Sequence, residues 1–453
     1  MRKRSAYARH LLLSPLVVAL LLLISGRAYV GAQADEIYLP GEVVVKLVQS
    51  GDLAAVAADF QLDPTPIDQF GTRPIYRLRI LDGVDPQIRA DALAADGRIL
   101  YAEPNYLEDT PEGRQGMKWS KGGNAGEYAD QWAGDKIRLP LAHTVSRGAG
   151  VTVAVLDTGI DAGHPLFTGR LVSGYDFVNM DADPHEEGAP ETHPVYGHGT
   201  HVAGLVALAA PDARIMPIRV LDAEGQGNIW VLAEALAYAV DPDGDPNTND
   251  GAHVINLSLS TRRQTSLLAE IVNEITCQDD DDDDDDEEDD DEEDEEHEDD
   301  DDDDDCQAAN GRGAVVIAAA GNSTSTNPEY PAAEGMTGLL AIAATTASDT
   351  LATYSNFGSW IQVAAPGDNI MSALPGNDYG VWNGTSMATP LVAGQAALLR
   401  SAHPDWDAAA VTEQIVDSAV PIGGPVPLRI DAAAALNASL QSAFLSYLAL
   451  IYR

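Results

Sequence analysis

Val153-Ala154-Val155-Leu156-Asp157-Thr158-Gly159-Ile160-Asp161 reads as a short apolar strand that stops on an acid and a glycine. Outward from it the alternation repeats. Strand-like runs at 151–156, 214–220, 253–257, 314–319 and 339–344 are interleaved with helix-like runs at 198–208, 229–240, 265–276, 386–400 and 408–418. Strands alternating with helices imply an α/β fold, a parallel sheet with helices on both faces, and such sheets hold ligands at the carboxyl ends of their strands. Asp157, Ser258 and Asn322 fall just after strands while His198 and Ser386 begin helices, so the five groups can converge on one edge.

Two further segments supply what Asp157 lacks: Gly-His-Gly-Thr-His-Val-Ala-Gly around His198 and Asn-Gly-Thr-Ser-Met-Ala-Thr-Pro around Ser386. A serine hydroxyl is a poor nucleophile at its free pKa, so it needs an imidazole to take its proton and a carboxylate to hold that imidazole in the right tautomer. Each residue alone has a plain structural reading, as a strand end, a helix start or a cap. Together, in the order Asp, His, Ser and packed among small residues, the three segments resemble those of the subtilisin-like serine proteases (subtilases). The resemblance covers roughly residues 130 to 435. It implies a subtilisin-like catalytic domain and a serine endopeptidase with Asp157, His198 and Ser386 as triad. It also implies that Asn322, at the end of Ala-Ala-Ala-Gly-Asn, donates its amide to the oxyanion together with the Ser386 N–H. No cofactor is implied for catalysis.

The chain has 453 residues, and 45 % hydrophobic content suffices for a large core. It opens Met-Arg-Lys-Arg, continues with an apolar run from Leu11 to Ile24 and reaches Ala32-Gln33-Ala34. That is the pattern of a signal peptide over 1–34, since the apolar run is short for a membrane span of about 20 residues. The expected location is secreted and extracellular, without stable membrane association. The net charge is −46, and residues 279–305 hold 26 acidic residues, so the remainder carries −20. So acidic a surface disfavours nucleic acid as a partner. The acidic run cannot bury apolar surface and reads as a disordered insertion over 277–306. Its flanking residues are the chain's only cysteines, Cys277 and Cys306, which in an oxidising compartment are expected to pair.

Residues 35–110 carry their own pattern: strands at 42–47, 66–70, 74–80 and 99–106, and helices at 53–60 and 86–95. This β-α-β-β-α-β order is that of a small α+β ferredoxin-like unit. In subtilases such a domain is an inhibitory propeptide, so the chain's own propeptide is an expected partner beside protein or peptide substrates. The polar, Gly-rich stretch 111–130 reads as a linker holding the maturation site, 131–436 as the catalytic domain and 437–453 as a C-terminal tail. A monomer is expected.

For substrate binding, Ser258-Leu259-Ser260 stands where the family usually has Ser-Leu-Gly, with Gly321 beside the oxyanion amide. Glu329, before Tyr330-Pro331, stands at the floor of the specificity pocket, where a carboxylate would favour a Lys or Arg side chain. Its other reading is a side chain turned to solvent. Two acidic loops offer oxygen ligands for structural calcium: Asp176, Asp181 and Asp183 in a loop resembling a subtilase calcium loop, and Asp241, Asp243 and Asp245 at alternate positions. His201 reads as structural. The rival reading is a cation-binding or matrix-interaction protein that carries the acidic run on a protease scaffold. Intact Asp157, His198, Ser386 and Asn322 speak against it.

Overall fold

The computed structural model describes residues 37–437 apart from 118, 246–247, 278–307 and 310. The expected signal peptide, the acidic insertion with Cys306 and the C-terminal tail therefore lie outside the described residues. Elements run in chain order as β1 (Tyr38–Leu47), α1 (Leu53–Asp59), β2 (Asp68–Gln69), β3 (Ile75–Arg79), α2 (Pro86–Leu93) and β4 (Ile99–Asp109). Then come α3 (Pro111–Gln115), β5 (Ser120–Lys121), α4 (Ala125–Ala129), α5 (Trp132–Lys136), α6 (Leu139–Ala142), β6 (Thr152–Asp157) and β7 (Tyr175–Asp176). α7 (His198–Ala209), β8 (Arg214–Arg219), β9 (Gln226–Asn228), α8 (Ile229–Val240), β10 (Val254–Leu257) and α9 (Ser266–Thr276) follow. The chain continues through β11 (Val315–Ala319), β12 (Leu339–Thr345), β13 (Val363–Pro366), β14 (Ile370–Leu374) and β15 (Asp378–Trp382). It closes with α10 (Thr385–Ala402), α11 (Ala408–Asp417), β16 (Val420–Pro421), β17 (Leu428–Arg429) and α12 (Ala432–Ala435).

The central sheet has nine strands in the order β16-β17-β13-β12-β11-β10-β6-β8-β7, parallel throughout except for β16. Every residue of β6, β10, β11 and β12 is buried. This is why these runs are apolar at consecutive rather than alternate positions: each strand is covered on both faces. α10 crosses one face against β10 to β13 and packs on α7. Gly394 permits that approach, since a Cβ there would lie 2.2 Å from the Ala209 methyl. β13 and the hairpin β14–β15 have no counterpart in the expected strands. Their alternation is broken by Pro366, Gly367 and Gly380, which mask the pattern in a single sequence.

On the N-terminal side, β1 to β4 form an antiparallel sheet in the order β2-β3-β1-β4, with α1 and α2 packed on it around Val43, Val45, Leu78 and Leu93. The element order is the anticipated β-α-β-β-α-β. β9 joins the free edge of β4 as a fifth strand, pairing Leu107, Glu108 and Asp109 with Asn228, Gly227 and Gln226. The sheet also leans on α8 and α9: Phe70 meets Trp230 edge to face at 6.0 Å, Lys46 pairs with Glu270 at 2.7 Å, and Arg73 pairs with Glu274. The buried carboxyl of Glu103 accepts from the N–H groups of Ser266 and Leu267 at 2.8 and 3.0 Å, satisfying the open start of α9.

The stretch expected as a linker is built into the molecule. α3 enters the edge where the strands end, β5 pairs with β15, and α4 sets Tyr128 into the core with its hydroxyl on Gly204 O. Gly and polar residues gave it the composition of a linker. Here they serve as caps: Thr110 and Asn124 cap α3 and α4 through their side chains.

Candidate active site

Asp157 is the last residue of β6 and His198 the first of α7, both buried. Asp157 Oδ1 lies 2.7 Å from His198 Nδ1 and accepts from the Thr158 N–H at 2.7 Å, so the carboxylate is held on the ring nitrogen that carries the proton. Trp382 packs edge-on against the imidazole at 5.1 Å, fixing its plane. Ser386 lies in the first turn of α10, where backbone N–H groups have no partner inside the helix. Ser258, just past β10, supports it: the Ser258 hydroxyl donates to Ser386 O at 3.0 Å, and Ser258 O accepts from Ser386 Oγ at 3.2 Å. Asn322 Oδ1 accepts from the Thr385 N–H and hydroxyl, both at 3.0 Å, which aims its Nδ2 into the site.

The object at the centre of these groups is another part of the same chain. The carboxyl of Glu112, in α3, is fully buried. Its Oε2 accepts from Ser386 Oγ at 2.5 Å and lies 3.2 Å from His198 Nε2, while Oε1 accepts from Asn322 Nδ2 at 2.7 Å. Oε1 is thus held by the Asn322 amide, and Oε2 occupies the space between Ser386 Oγ and His198 Nε2. Gly384 makes room for it, since a Cβ there would fall 1.7 Å from Oε1. Burial alone would push the His198 pKa down, but the carboxylates of Asp157 and Glu112 outweigh it and hold the ring up to about 10. His201 behaves in the opposite way: burial and the neighbouring His198 take it down to about 3, and its Nε2 faces Gly380 O.

The approach to this centre is strand-shaped. β4 runs antiparallel to β9, Asp109 exchanges backbone hydrogen bonds with Ser260 at 3.0 and 3.1 Å, and the Thr110 N–H reaches Gly225 O at 3.3 Å. Chain therefore fills a slot between two edges, as an extended peptide would. Beside the slot lies Glu329. That carboxylate is buried rather than turned to solvent; it accepts from Ser260 Oγ at 2.5 Å, Asn356 Nδ2 at 3.2 Å and Arg114 Nη1 at 2.9 Å. Gly321 leaves the space, at a φ of +96°, and a Cβ there would meet the Glu329 carboxyl carbon at 2.6 Å. Asp109 completes the guanidinium's surroundings. Leu259, between the two serines, is buried in the wall.

Glu186 went unrecognised. Its half-buried carboxyl accepts from Thr200 N and Oγ1 at 2.8 and 3.0 Å through one oxygen, and from Gly197 N and Thr158 Oγ1 at 3.2 Å each through the other. It ties the start of α7, which carries His198, to the turn after Asp157. No local signal marks it: Glu186-Glu187 in a loop has the composition of a solvated turn.

In the loop of Asp176, Asp181 and Asp183, Asp176 pairs with buried Arg219 at 2.8 Å and caps the Val178 and Asn179 N–H groups, while Asp181 Oδ1 accepts from the Asp183 N–H. In the second loop Asp241 and Asp243 bring oxygens within 4.8 Å of Asp250, which takes the place expected for Asp245.

Residues 148–442 match the subtilase family, peptidase S8. The thermophilic serine proteinase of Bacillus sp. (strain AK1) is 32% identical over 383 residues, 80% of this chain and 79% of that protein. Thermitase of Thermoactinomyces vulgaris is 35% identical over 60% of this chain and 82% of its own. Among solved structures, fervidolysin from Fervidobacterium pennivorans, described as a keratinolytic enzyme related to subtilisin, superposes over 90% of this chain and 62% of its own with a TM-score of 0.65 at 20% identity, a likeness of fold. With this sheet, these motifs and these relatives, the chain belongs to the subtilase family and is a subtilisin-like serine endopeptidase.

Proposed function

We propose that the chain is the secreted precursor of an endopeptidase that uses Ser386 as nucleophile, His198 as general base and acid, Asp157 as orienting carboxylate, and Asn322 with the Ser386 N–H as oxyanion donors. The observation that carries this reading is the meeting of Ser386 Oγ, His198 Nε2 and Asn322 Nδ2 on one carboxylate. Place a peptide carbonyl there and the steps follow. The hydroxyl adds to the carbonyl carbon and its proton passes to His198 Nε2, while Nδ1–H stays on Asp157. The charge that develops on oxygen falls on donors already in position. The imidazolium then protonates the leaving amine, and water repeats the sequence on the acyl-enzyme. A serine-reactive fluorophosphonate tests this: the processed wild type should label and Ser386→Ala should not. A folded, processed wild type that failed to label would refute it.

Residues 35–110 act in this reading as an inhibitory prodomain, supported by the insertion of β4 into the substrate slot. Glu329 selects basic side chains before the cut bond, supported by the Arg114 guanidinium that faces it. Cleavage after Arg relative to Phe should fall at least about tenfold in Glu329→Ala, because a buried ion pair then loses one partner. An unchanged ratio would refute the assignment. Cys277 is not a free thiol, which supports its pairing with Cys306, the chain's other cysteine. If Asp241, Asp243 and Asp250 hold structural calcium, a chelator should speed heat inactivation.

A further inference from the structure

We propose that Glu112 is the group that keeps the unprocessed chain latent: segment 107–114 enters the cleft as a substrate does, then presents a side-chain carboxylate to the nucleophile in place of a peptide carbonyl. The inference rests on the endopeptidase reading and adds how that site is held shut.

As far as Thr110 the segment pairs as an extended peptide, first with β9 and then with Ser260. There the path changes. Pro111 opens a helical turn, for which its fixed φ is suited, and Thr110 Oγ1 caps that turn by accepting from the Gly113 N–H at 3.1 Å. A helical turn aims its carbonyls along its own axis, so the backbone is withdrawn from Ser386 where a substrate would present its scissile bond. The Glu112 side chain fills the vacated volume.

Three properties make this carboxylate an inhibitor. The carbon of a carboxylate anion is a poor electrophile, so Ser386 has nothing to attack. Oε2 takes the hydrogen bond of the Ser386 hydroxyl that His198 Nε2 would otherwise accept. His198, flanked by Asp157 and Glu112, is held as imidazolium and has no free lone pair for the serine proton. Arg114 anchors the turn from its far side by pairing with Glu329 and Asp109, so the span from Glu112 to Arg114 is held at both ends. Both subsites that a substrate needs, for its carbonyl oxygen and for its side chain, are thereby occupied from within the chain.

The test uses the full chain as secreted, in wild-type, Glu112→Gln and Glu112→Ala forms, each with a Ser386→Ala control. Time-resolved mass measurement follows attachment of the fluorophosphonate to the intact chain separately from the appearance of processed protein. Loss of the charge-assisted contacts should raise labelling of the intact chain about ten- to a hundredfold over wild type, with faster processing. Glu112→Gln preserves volume, so it decides the matter if the alanine form does not fold. Equal labelling of the intact wild-type and Glu112→Gln chains would overturn the proposal while leaving the endopeptidase reading standing, provided the processed forms label. No labelling of any processed form would overturn both.

Discussion

Asn322 shows how a single side chain is prepared for chemistry. Its carbonyl oxygen is committed to Thr385, so the amide nitrogen is left for the Glu112 carboxylate, at the place where the proposed reaction would develop negative charge. Asn322→Ala should lower kcat about 10²- to 10³-fold with little change in KM, a magnitude known from an oxyanion amide in an enzyme of this same family. A KM effect of that size with kcat intact would instead mean a binding role. Glu186 acts one step further out, through the backbone of α7. Glu186→Ala leaves the Thr200 and Gly197 N–H groups buried without an acceptor, and should cost about 2–4 kcal/mol of stability and lower kcat more than it changes KM. Glu186→Gln retains an acceptor oxygen and should recover most of both. Thermal melts and steady-state kinetics on the two variants separate these outcomes.

Elements carry the residues to one edge, and this part was legible in the sequence. The apolar runs ending near Asp157, Leu257 and Ala319 are strands buried on both faces, and the small residues around His198 and Ser386 are where α7 and α10 pack closely. What could not be read depends on partners distant in sequence. Asp176 has the spacing of a cation ligand, and only the fold shows Arg219 paired with it. Glu112 sits in a stretch with the composition of a linker, and its burial follows from contacts made 210 and 274 residues away. Glu103 is a third such case, because the helix it caps belongs to the other half of the molecule. Glu103→Ala should therefore weaken docking of the N-terminal sheet by about 1–3 kcal/mol without unfolding that sheet. Retention of the cleaved fragment on the processed enzyme measures it, and unchanged retention would show that α9 finds another cap.

At the scale of the whole molecule, the face between the N-terminal sheet and the rest is unusual for the acids it buries. Burial pushes the Glu103 carboxyl up to about 7 against the two N–H groups at the start of α9, which favour its charge, with Glu334 and Glu270 adding to the rise. Glu234 on α8 is likewise taken to about 7, by burial and then by Asp68 of β2. Glu108, fully buried beside Asp109 on β4, is held well above the usual range. Separation returns all three to water and to values near 4.5. The docked state thus binds more protons than the separated one, so its stability is fully present below about pH 4.5 and declines as pH rises through 7. Once the chain is cut, the N-terminal fragment should be retained at pH 5 and released at least about tenfold more readily at pH 8. The pH 5 to 8 difference in fragment release, followed by size separation at constant salt, should shrink in Glu103→Gln, which can no longer titrate. A fragment held equally at both pH values would mean that these carboxyls stay ionised in the docked state, with the α9 N-terminus and nearby cations outweighing burial.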